Sequence, residues 1–241
     1  MMRSGAATLP LLPIFLLLPV LPISAEAMAG YRFDNAEDYL ADASALPAWA
    51  HTLERQAADR QVIRRCLDDE GACEGRLAAL RHVLLKGAQL DPDDQLTLVN
   101  RYVNRRRYRR DGTRTSLSVA AGGEARLRNH WSTLLEFLDR GGDCEDYATA
   151  KYFLLRELGF PADDLRVLVT FDRSVRQYHA VLAVRRSDGT AWLLESDNTI
   201  QRSRQSQYRF IYAVNEEGIW DHEEQAVPGR TFNGSNSQGE R

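Results

Sequence analysis

The stretch Gly141-Gly142-Asp143-Cys144-Glu145-Asp146-Tyr147 decides the interpretation of this chain. Two glycines precede a cysteine that lies between carboxylates, at the predicted start of a helix. A helix N-terminus stabilises a thiolate, because its unpaired backbone N–H groups carry partial positive charge. The adjacent acids act in the opposite sense and raise the pKa of the thiol. A nucleophilic cysteine here therefore needs a neutralising partner, and a metal cation is the simplest one.

The residues around this stretch predict helices. Apolar side chains recur at helical spacing after Cys144, which predicts a helix over 143–158 with Gly159 as its cap. Three helical regions are predicted upstream: residues 31–90 with a break or new start at Pro47, a helix that begins with Asp91 as N-cap and Pro92 in its first turn, and a short helix over 131–138.

After Pro161 the sequence changes to the pattern of β-strands. Strands are predicted over 165–171, 178–186, 190–196 and 208–214. Ser187-Asp188-Gly189 is typical of a hairpin turn between two of them. Helices followed by an antiparallel sheet indicate an α+β fold.

The N-terminus has the composition of a secretory signal peptide, which we assign to residues 1–27, with cleavage after Ala29 as the alternative to cleavage after Ala27. Arg3 is followed by an apolar run of 15 residues over 9–23, and Ala25-Glu26-Ala27 provides a small-residue cleavage site. The run contains four prolines and is shorter than the roughly 20 residues of a spanning helix. An uncleaved anchor is the alternative, and no later segment is predicted to span a membrane.

The three cysteines divide into a pair and a single thiol. Cys66 and Cys73 are separated by a short polar turn, and in an oxidising compartment a local disulfide is expected. Cys144 remains as the odd thiol, and catalysis is the leading reason for an unpaired thiol in an exported protein.

A cysteine nucleophile needs a base and a residue that orients the base. Among the five histidines, His179 is the best candidate, because it lies inside a predicted strand. The hairpin to the next strand is expected to bring Asp197 beside it. Four histidines are assigned to weaker or structural roles: His51, His82, His130 and His222.

The segment 131–220 resembles the bacterial transglutaminase-like cysteine proteinases of the LapG type. The motifs that carry the resemblance are Trp131, Glu136-Phe137-Leu138, Gly142-Asp143-Cys144-Glu145-Asp146-Tyr147-Ala148 with Lys151-Tyr152, Gln177-Tyr178-His179-Ala180-Val181-Leu182 and Asp197-Asn198. Upstream, Val99-Asn100-Arg101-Tyr102-Val103-Asn104-Arg105 is similar to the family's entry helix.

This resemblance implies a papain-like or transglutaminase-like core with a Cys-His-Asp triad. Mapped by motif, Cys144 is the nucleophile, His179 the general base and acid, and Asp197 the orienting residue. The relatives of this type are periplasmic and calcium-dependent. They cleave a large surface adhesin in the control of biofilm release, and an inner-membrane receptor for cyclic di-GMP sequesters them. The resemblance therefore implies such a substrate and such a partner for this chain.

The resemblance also assigns Asp143 and Glu145 as Ca²⁺ ligands, with Asp146 as a weaker candidate. Ca²⁺ takes six to eight oxygen ligands, so further ligands are expected, with the loop over 111–129 as a source. A bound cation explains why acids flank a nucleophilic thiol. The alternative is structural: Asp143 is an N-cap, and Glu145 interacts with the helix dipole.

Charge and composition exclude few functions by themselves. The chain has 241 residues, a formal net charge of −3, 44% hydrophobic and 27% charged residues, as expected of a globular protein without a polyanion-binding composition. The six arginines between positions 101 and 110 form a solvated helix end or a partner surface. Nucleic acid is an unsuitable partner for an exported protein.

We therefore predict four segments: a signal peptide over 1–27, a helical region over 28–90, a cysteine protease core over 91–221 and a disordered tail over 222–241. The leading hypothesis is a calcium-dependent periplasmic cysteine endopeptidase. Two alternatives stay open. A transglutaminase transfers the same thioester to an amine, and a catalytically silent module retains the fold for binding.

Overall fold

The computed structural model describes residues 30–34, 38–110 and 130–222. The predicted signal peptide, the loop over 111–129 and the tail after residue 222 lie outside these ranges. Within them, the chain forms five α-helices and one seven-stranded sheet. None of the helices in the described part combines the length and the hydropathy that crossing a membrane requires.

The helices follow the predicted order. Their bounds are α1 Pro47–Asp68, α2 Arg76–Gly87, α3 Pro92–Asn104, α4 Leu134–Arg140 and α5 Cys144–Glu157. The predicted cap of α3 is confirmed, because the Asp91 side chain accepts hydrogen bonds from the backbone N–H groups of Asp93 and Asp94.

The sheet contains the four predicted strands and three short strands that the sequence pattern does not predict. Their bounds are β1 Tyr39–Ala41, β2 Leu165–Asp172, β3 Gln177–Arg185, β4 Ala191–Leu194, β5 Ile200–Arg202, β6 Tyr208–Val214 and β7 Ile219–Asp221. The strand order is β1-β7-β6-β2-β3-β4-β5, and every pair is antiparallel. The unpredicted strands β1, β5 and β7 have three residues each, too few for a period of two to be recognised.

The five helices pack on one face of the sheet. Successive residues of a strand point to opposite faces, and along β3 Leu182 and Val184 belong to the cluster that contains the helices. Val181 and Ala183 belong to a second cluster on the other face, with Tyr31 as a member. The first cluster contains side chains from the predicted helical region before residue 90 and from the predicted protease core after it. The division between these two segments stays a prediction.

Trp49 joins α1 to the centre of the core. Its side chain is fully buried and stacks on Phe153 of α5, with 5.7 Å between ring centroids. Its Nε1 donates a 2.7 Å hydrogen bond to the backbone oxygen of Asn215, which follows β6. A single side chain thus connects the N-terminal helix with α5 and the sheet.

Two local predictions have clear outcomes. Cys66 and Cys73 form the expected disulfide, and Cys144 is the free cysteine of the described residues. His222, where we placed the start of the tail, is instead buried, and its Nδ1 lies 3.0 Å from Asp38 Oδ2. The backbone N–H of His222 also donates to Ile211, so the ordered chain includes this residue.

The aromatic residues of the arginine-rich segment pack against neighbouring side chains. The Arg106 guanidinium lies 5.4 Å from the centroid of the Tyr102 ring, and Tyr108 stacks on Tyr147 of α5. The hydroxyl of Tyr147 donates to the backbone oxygen of Arg106. This segment therefore packs directly against the helix that begins at Cys144.

Replacement of Trp49 by Ala is expected to lower the free energy of unfolding by about 3–5 kcal/mol, because it leaves a cavity and an unpaired Asn215 carbonyl. This corresponds to a decrease of roughly 6–20 °C in Tm. Thermal unfolding followed by circular dichroism measures it. The control is Leu85→Ala on α2, a side chain with 46% exposure that should change stability by about 0.5 kcal/mol or less. Equal effects of the two substitutions would contradict the assignment.

Candidate active site

The two glycines before Cys144 permit a close chain crossing. Gly141 has a φ of +70°, and a Cβ at this position would clash with the backbone oxygen of Arg107. A Cβ on Gly142 would clash with the side chain of Asp146. The backbone oxygen of Gly142 accepts a 2.8 Å hydrogen bond from Arg109 N. The glycines therefore let the segment after α3 pack against the start of α5.

Asp146 holds this start in place. It is 2% exposed, and its Oδ1 accepts a 2.7 Å hydrogen bond from the Ser132 backbone N–H. Its Oδ2 accepts one of 3.2 Å from the backbone N–H of Asp143, the N-cap of α5. Burial raises the pKa of Asp146 to about 6. Both oxygens are engaged by backbone groups, which favours a structural role over the weaker assignment as a Ca²⁺ ligand.

Cys144 is the first residue of α5, and its thiol lies between an acid and a strand. Its Sγ donates to Glu145 Oε2 at 3.2 Å, and the Ala180 backbone N–H on β3 acts to lower the pKa of the thiol. Burial raises the pKa of the thiol to about 12, and the carboxylate of Glu145 contributes in the same direction. Without a cation, the thiol is therefore protonated at neutral pH.

His179 lies next to Ala180 on β3, and its ring is held by Glu195. His179 Nε2 is 3.1 Å from Glu195 Oε2, and Nε2 carries the hydrogen because a carboxylate only accepts. The other oxygen, Oε1, accepts hydrogen bonds from Gln201 Nε2 at 3.0 Å and from the hydroxyl of Tyr208 at 3.1 Å. Glu195 is 6% exposed, so this carboxylate is buried and fully partnered.

Asp197, the residue expected beside His179, bonds elsewhere. The ladder between β3 and β4 ends at the pair Leu182–Leu194, and continued pairing would bring residue 197 opposite residue 179. The chain instead turns back, with a hydrogen bond from Glu195 N to Thr199 O. Asp197 lies in this turn, and its Oδ1 accepts from Thr199 N at 2.9 Å. The structure therefore brings Glu195, and not Asp197, to the histidine.

No direct hydrogen bond joins the Cys144 thiol to the His179 imidazole among the described residues. The backbone N–H that lowers the pKa of the thiol belongs to Ala180, the residue that follows His179, and His179 Nδ1 has no hydrogen-bond partner among the described residues. Catalytic hydrogen bonds are often long before substrate binds. With Nε2 donating to Glu195, Nδ1 is the nitrogen that can accept a proton from the thiol.

An open cleft of about 400 Å³ lies on the histidine side of this arrangement. Its walls include His179, Glu195 and the exposed ring of Tyr178, together with Asp172 and Asp197. The cleft can admit an extended peptide segment to the imidazole.

Of the competing histidines, His130 lies 3.3 Å from Glu136 Oε2, at the start of α4.

Asp143 and Glu145 form a pair of carboxylates that fits a cation site in part. Burial, together with the neighbouring carboxyl group of Asp143, raises the pKa of Glu145 to about 7. Oxygen ligands of this kind suit Ca²⁺. No group of three or more His, Cys, Asp or Glu residues that could hold a metal occurs in the described ranges. The loop over 111–129 lies outside them.

The sequence analysis assigned no role at the site to three residues that contribute to it: Glu195, Lys151 and Asn104. Glu195 directly follows β4 and precedes the predicted Asp197 by two positions, so both have the same parity along the strand. The alternation of side chains along a strand therefore could not show which of the two carboxylates meets His179. Lys151 and Asn104 reach the site only through contacts between elements distant in sequence.

Comparisons with known proteins agree with this geometry. The family model for "Bacterial transglutaminase-like cysteine proteinase BTLCP" matches residues 58–225. The solved structure of Legionella pneumophila LapG has a TM-score of 0.53 at 25% identity, over 67% of this chain and 84% of that one. Its calcium-bound form gives 0.53 at 25%, over 71% and 90%.

The EGTA-treated form of Legionella pneumophila LapG gives a TM-score of 0.54 at 24% identity, over 70% of this chain and 87% of that one, and supports the fold. No curated protein sequence matches the chain significantly. The family match covers most of the chain, and its description agrees with a free cysteine at a helix start beside a histidine-bearing strand. The chain belongs to the bacterial transglutaminase-like cysteine proteinase family and is a cysteine peptidase.

Proposed function

We propose that this protein is a calcium-dependent periplasmic cysteine endopeptidase with Cys144 as its nucleophile and His179 as its general base and acid. The observation that carries the proposal is a free thiol at the start of α5, influenced by the N–H of Ala180, the residue after a histidine whose Nε2 is held by a buried carboxylate. Membership of a cysteine peptidase family supports the same reaction.

The proposed reaction begins with transfer of the thiol proton to His179 Nδ1. The Cys144 thiolate attacks the peptide carbonyl, and the imidazolium then protonates the leaving amine, which gives a thioester. Water, deprotonated by the same imidazole, hydrolyses the thioester and restores the thiol. The Cys144 backbone N–H at the start of α5 is a natural donor to the developing oxyanion.

We propose Glu195 as the residue that orients His179, in place of Asp197. The hydrogen bond from Nε2 to Glu195 Oε2 supports this role, because it selects the tautomer in which Nδ1 is free to accept a proton. The bonds from Gln201 and Tyr208 to Oε1 hold the carboxylate in that orientation. Asp197 remains near the cleft, where it caps the backbone of Thr199.

Asp143 and Glu145 are the proposed Ca²⁺ ligands. The two carboxyl groups flank the nucleophile, and burial together with the neighbouring Asp143 raises the pKa of Glu145, which supports a site where acidic oxygens are available to a cation. When bound, Ca²⁺ would supply positive charge and lower the pKa of the neighbouring thiol. The chain's own acids would then hold the cation beside the nucleophile.

The proposed substrate is a large cell-surface adhesin, and the proposed regulator is an inner-membrane receptor for cyclic di-GMP. Both follow from the family resemblance of the motifs around Cys144 and His179, as does export to the periplasm. The disulfide between Cys66 and Cys73 supports an oxidising compartment. A calcium-bound form of Legionella pneumophila LapG supports the proposed metal.

Replacement of Cys144 by Ala is expected to abolish cleavage and to leave Tm within about 3 °C, since the thiol contributes little to the core. The assay incubates the mature protein and Ca²⁺ with N-terminal fragments of large surface adhesins, and sequences the new termini. A parallel arm adds a glutamine peptide and a labelled amine. Cleavage by the Cys144→Ala variant, or amine incorporation without cleavage by the unmodified protein, would contradict an endopeptidase with this nucleophile.

Glu195→Gln and Asp197→Asn form a matched pair, because each replaces a carboxylate by its amide within the same turn. Glu195→Gln is expected to lower kcat/KM by about 10²–10⁴-fold, since the amide no longer enforces the required tautomer. Asp197→Asn retains the oxygen that accepts from Thr199 and should change kcat/KM by about threefold or less. The reverse pattern would assign the orienting role to Asp197.

The Tm of the Ca²⁺-free protein is expected to fall as the pH rises from 4.5 to about 7. The folded-state pKa of Glu145, about 7, exceeds its ordinary value of 4.5, so stability is present below pH 4.5 and is lost through pH 7. At pH 7.5, Ca²⁺ at 100 times its Kd should add about 2.7 kcal/mol, which is roughly 5–10 °C. Calorimetry in EGTA and in Ca²⁺ measures both effects.

Glu145→Gln is the control for this experiment. It should remove most of the Ca²⁺ response and part of the pH dependence. The remainder belongs to Asp146, whose pKa is also raised. A Tm and an activity that are both unaffected by exhaustive chelation would refute the calcium site.

A further inference from the structure

The turn that carries Glu195 is held by side chains from two helices. Lys151 Nζ, on α5, donates to the backbone oxygens of Glu195 at 2.7 Å and Leu194 at 3.3 Å. Asn104 Nδ2, at the end of α3, donates to the same Glu195 oxygen at 2.8 Å. The Glu195 carbonyl thus receives two side-chain hydrogen bonds from elements 44 and 91 residues away in sequence.

From this geometry we propose that Lys151, assisted by Asn104, is a positioning residue for catalysis: it fixes the backbone of Glu195 and thereby the carboxylate that orients His179. The inference rests on the proposed function, in which His179 is the base and Glu195 its partner. It goes beyond that function, because neither residue touches the reacting atoms.

The burial of Lys151 argues for a specific role. Its side chain is fully buried within α5, where an apolar residue would pack without the cost of removing an ammonium group from water. Burial lowers the pKa of Lys151 to about 7, although the negative charges of Glu195 and Asp197 oppose this shift. The hydrogen bonds from Nζ to two carbonyl oxygens and the negative charges of Glu195 and Asp197 offset part of the cost of burying the ammonium group.

The location of Lys151 ties this support to the nucleophile. Lys151 follows Cys144 by seven residues, which is two helical turns and about 10 Å along the same face of α5. One helix therefore presents the thiol at its start and supports the Glu195 turn from its middle. A displacement of the thiol or of the Glu195 turn therefore changes the relative positions of the thiol, the imidazole and the carboxylate.

The support acts where β3 no longer pairs with the segment that carries Glu195. The ladder between β3 and β4 ends one residue before Glu195, and the backbone then turns back toward β5. Asn100 Nδ2 contributes a further bond of 3.3 Å to Thr199 O on the far side of the turn. Without these bonds, the Glu195 side chain would keep only its contacts to Gln201, Tyr208 and His179. A misplacement of about 1 Å in such a group costs up to 10²-fold in rate.

A double-mutant cycle between Lys151→Met and Glu195→Gln tests the proposal. Met has similar length and no donor. Lys151→Met alone is expected to lower kcat/KM about tenfold or more, chiefly through kcat. In the Glu195→Gln background it should lower kcat/KM by about threefold or less, because the group it positions is already lost. Equal factors in the two backgrounds would show that Lys151 is only structural and would overturn the proposal.

A second readout does not depend on peptidase activity. In the full chain, ¹⁵N NMR of the His179 ring, assigned by comparison with His179→Gln, should show the Nε2–H tautomer. Lys151→Met should give a mixture of tautomers. An unchanged His179 spectrum would overturn the positioning role. A changed spectrum in a protein without peptidase activity would support positioning and refute only the proposed function.

Asn104→Leu keeps the test decisive if Lys151→Met does not fold, as judged by circular dichroism. This variant removes the other donor to the Glu195 carbonyl, with a side chain of similar size. We expect a change of the same kind in the His179 spectrum and a loss of several-fold in kcat/KM. A spectrum and a kcat/KM equal to those of the unmodified protein would refute the support of Glu195 by its backbone carbonyl.

Discussion

The burial of α5 between the N-terminal helices and the sheet is the constraint on which the rest of the structure depends. From Asp146 to Leu155 every residue of this helix is buried, and Phe153 stacks on Trp49 of α1. This packing leaves α5 little freedom to shift or rotate. As a result, its first residue, Cys144, is held where the N–H of Ala180 on β3, the residue after His179, lowers the pKa of the thiol.

The acids around Cys144 have different roles, although they are adjacent in sequence. Asp146 satisfies backbone N–H groups at the start of α5 and is part of the fold. Asp143 and Glu145 raise the pKa of the thiol, an effect that opposes formation of the thiolate. The start of α5 thus stabilises the fold through Asp146 and raises the pKa of the thiol through Asp143 and Glu145. The proposed Ca²⁺ would lower that pKa again.

Much of the fold could be predicted from the sequence, because long elements have recognisable periods and caps. The helix after Asp91, the helix at Cys144 and the hairpin at Gly189 all appear where the pattern indicates them. The strands β1, β5 and β7 could not be predicted, since three residues carry no readable alternation and each depends on a partner strand.

For the site, the sequence by itself determined the family and led to the proposal of Cys144 as nucleophile and His179 as base, because these depend on local motifs around Cys144 and His179. Only the tertiary structure decided which carboxylate meets the imidazole. β4 ends at Leu194, and Asp197 bonds the backbone of its own turn instead of extending the strand. Glu195 is left beside His179, on a backbone held by Lys151. The end of a strand depends on a competition between ladder pairing and hydrogen bonds within the turn. Here it also depends on support from distant helices, and the local sequence does not encode that support.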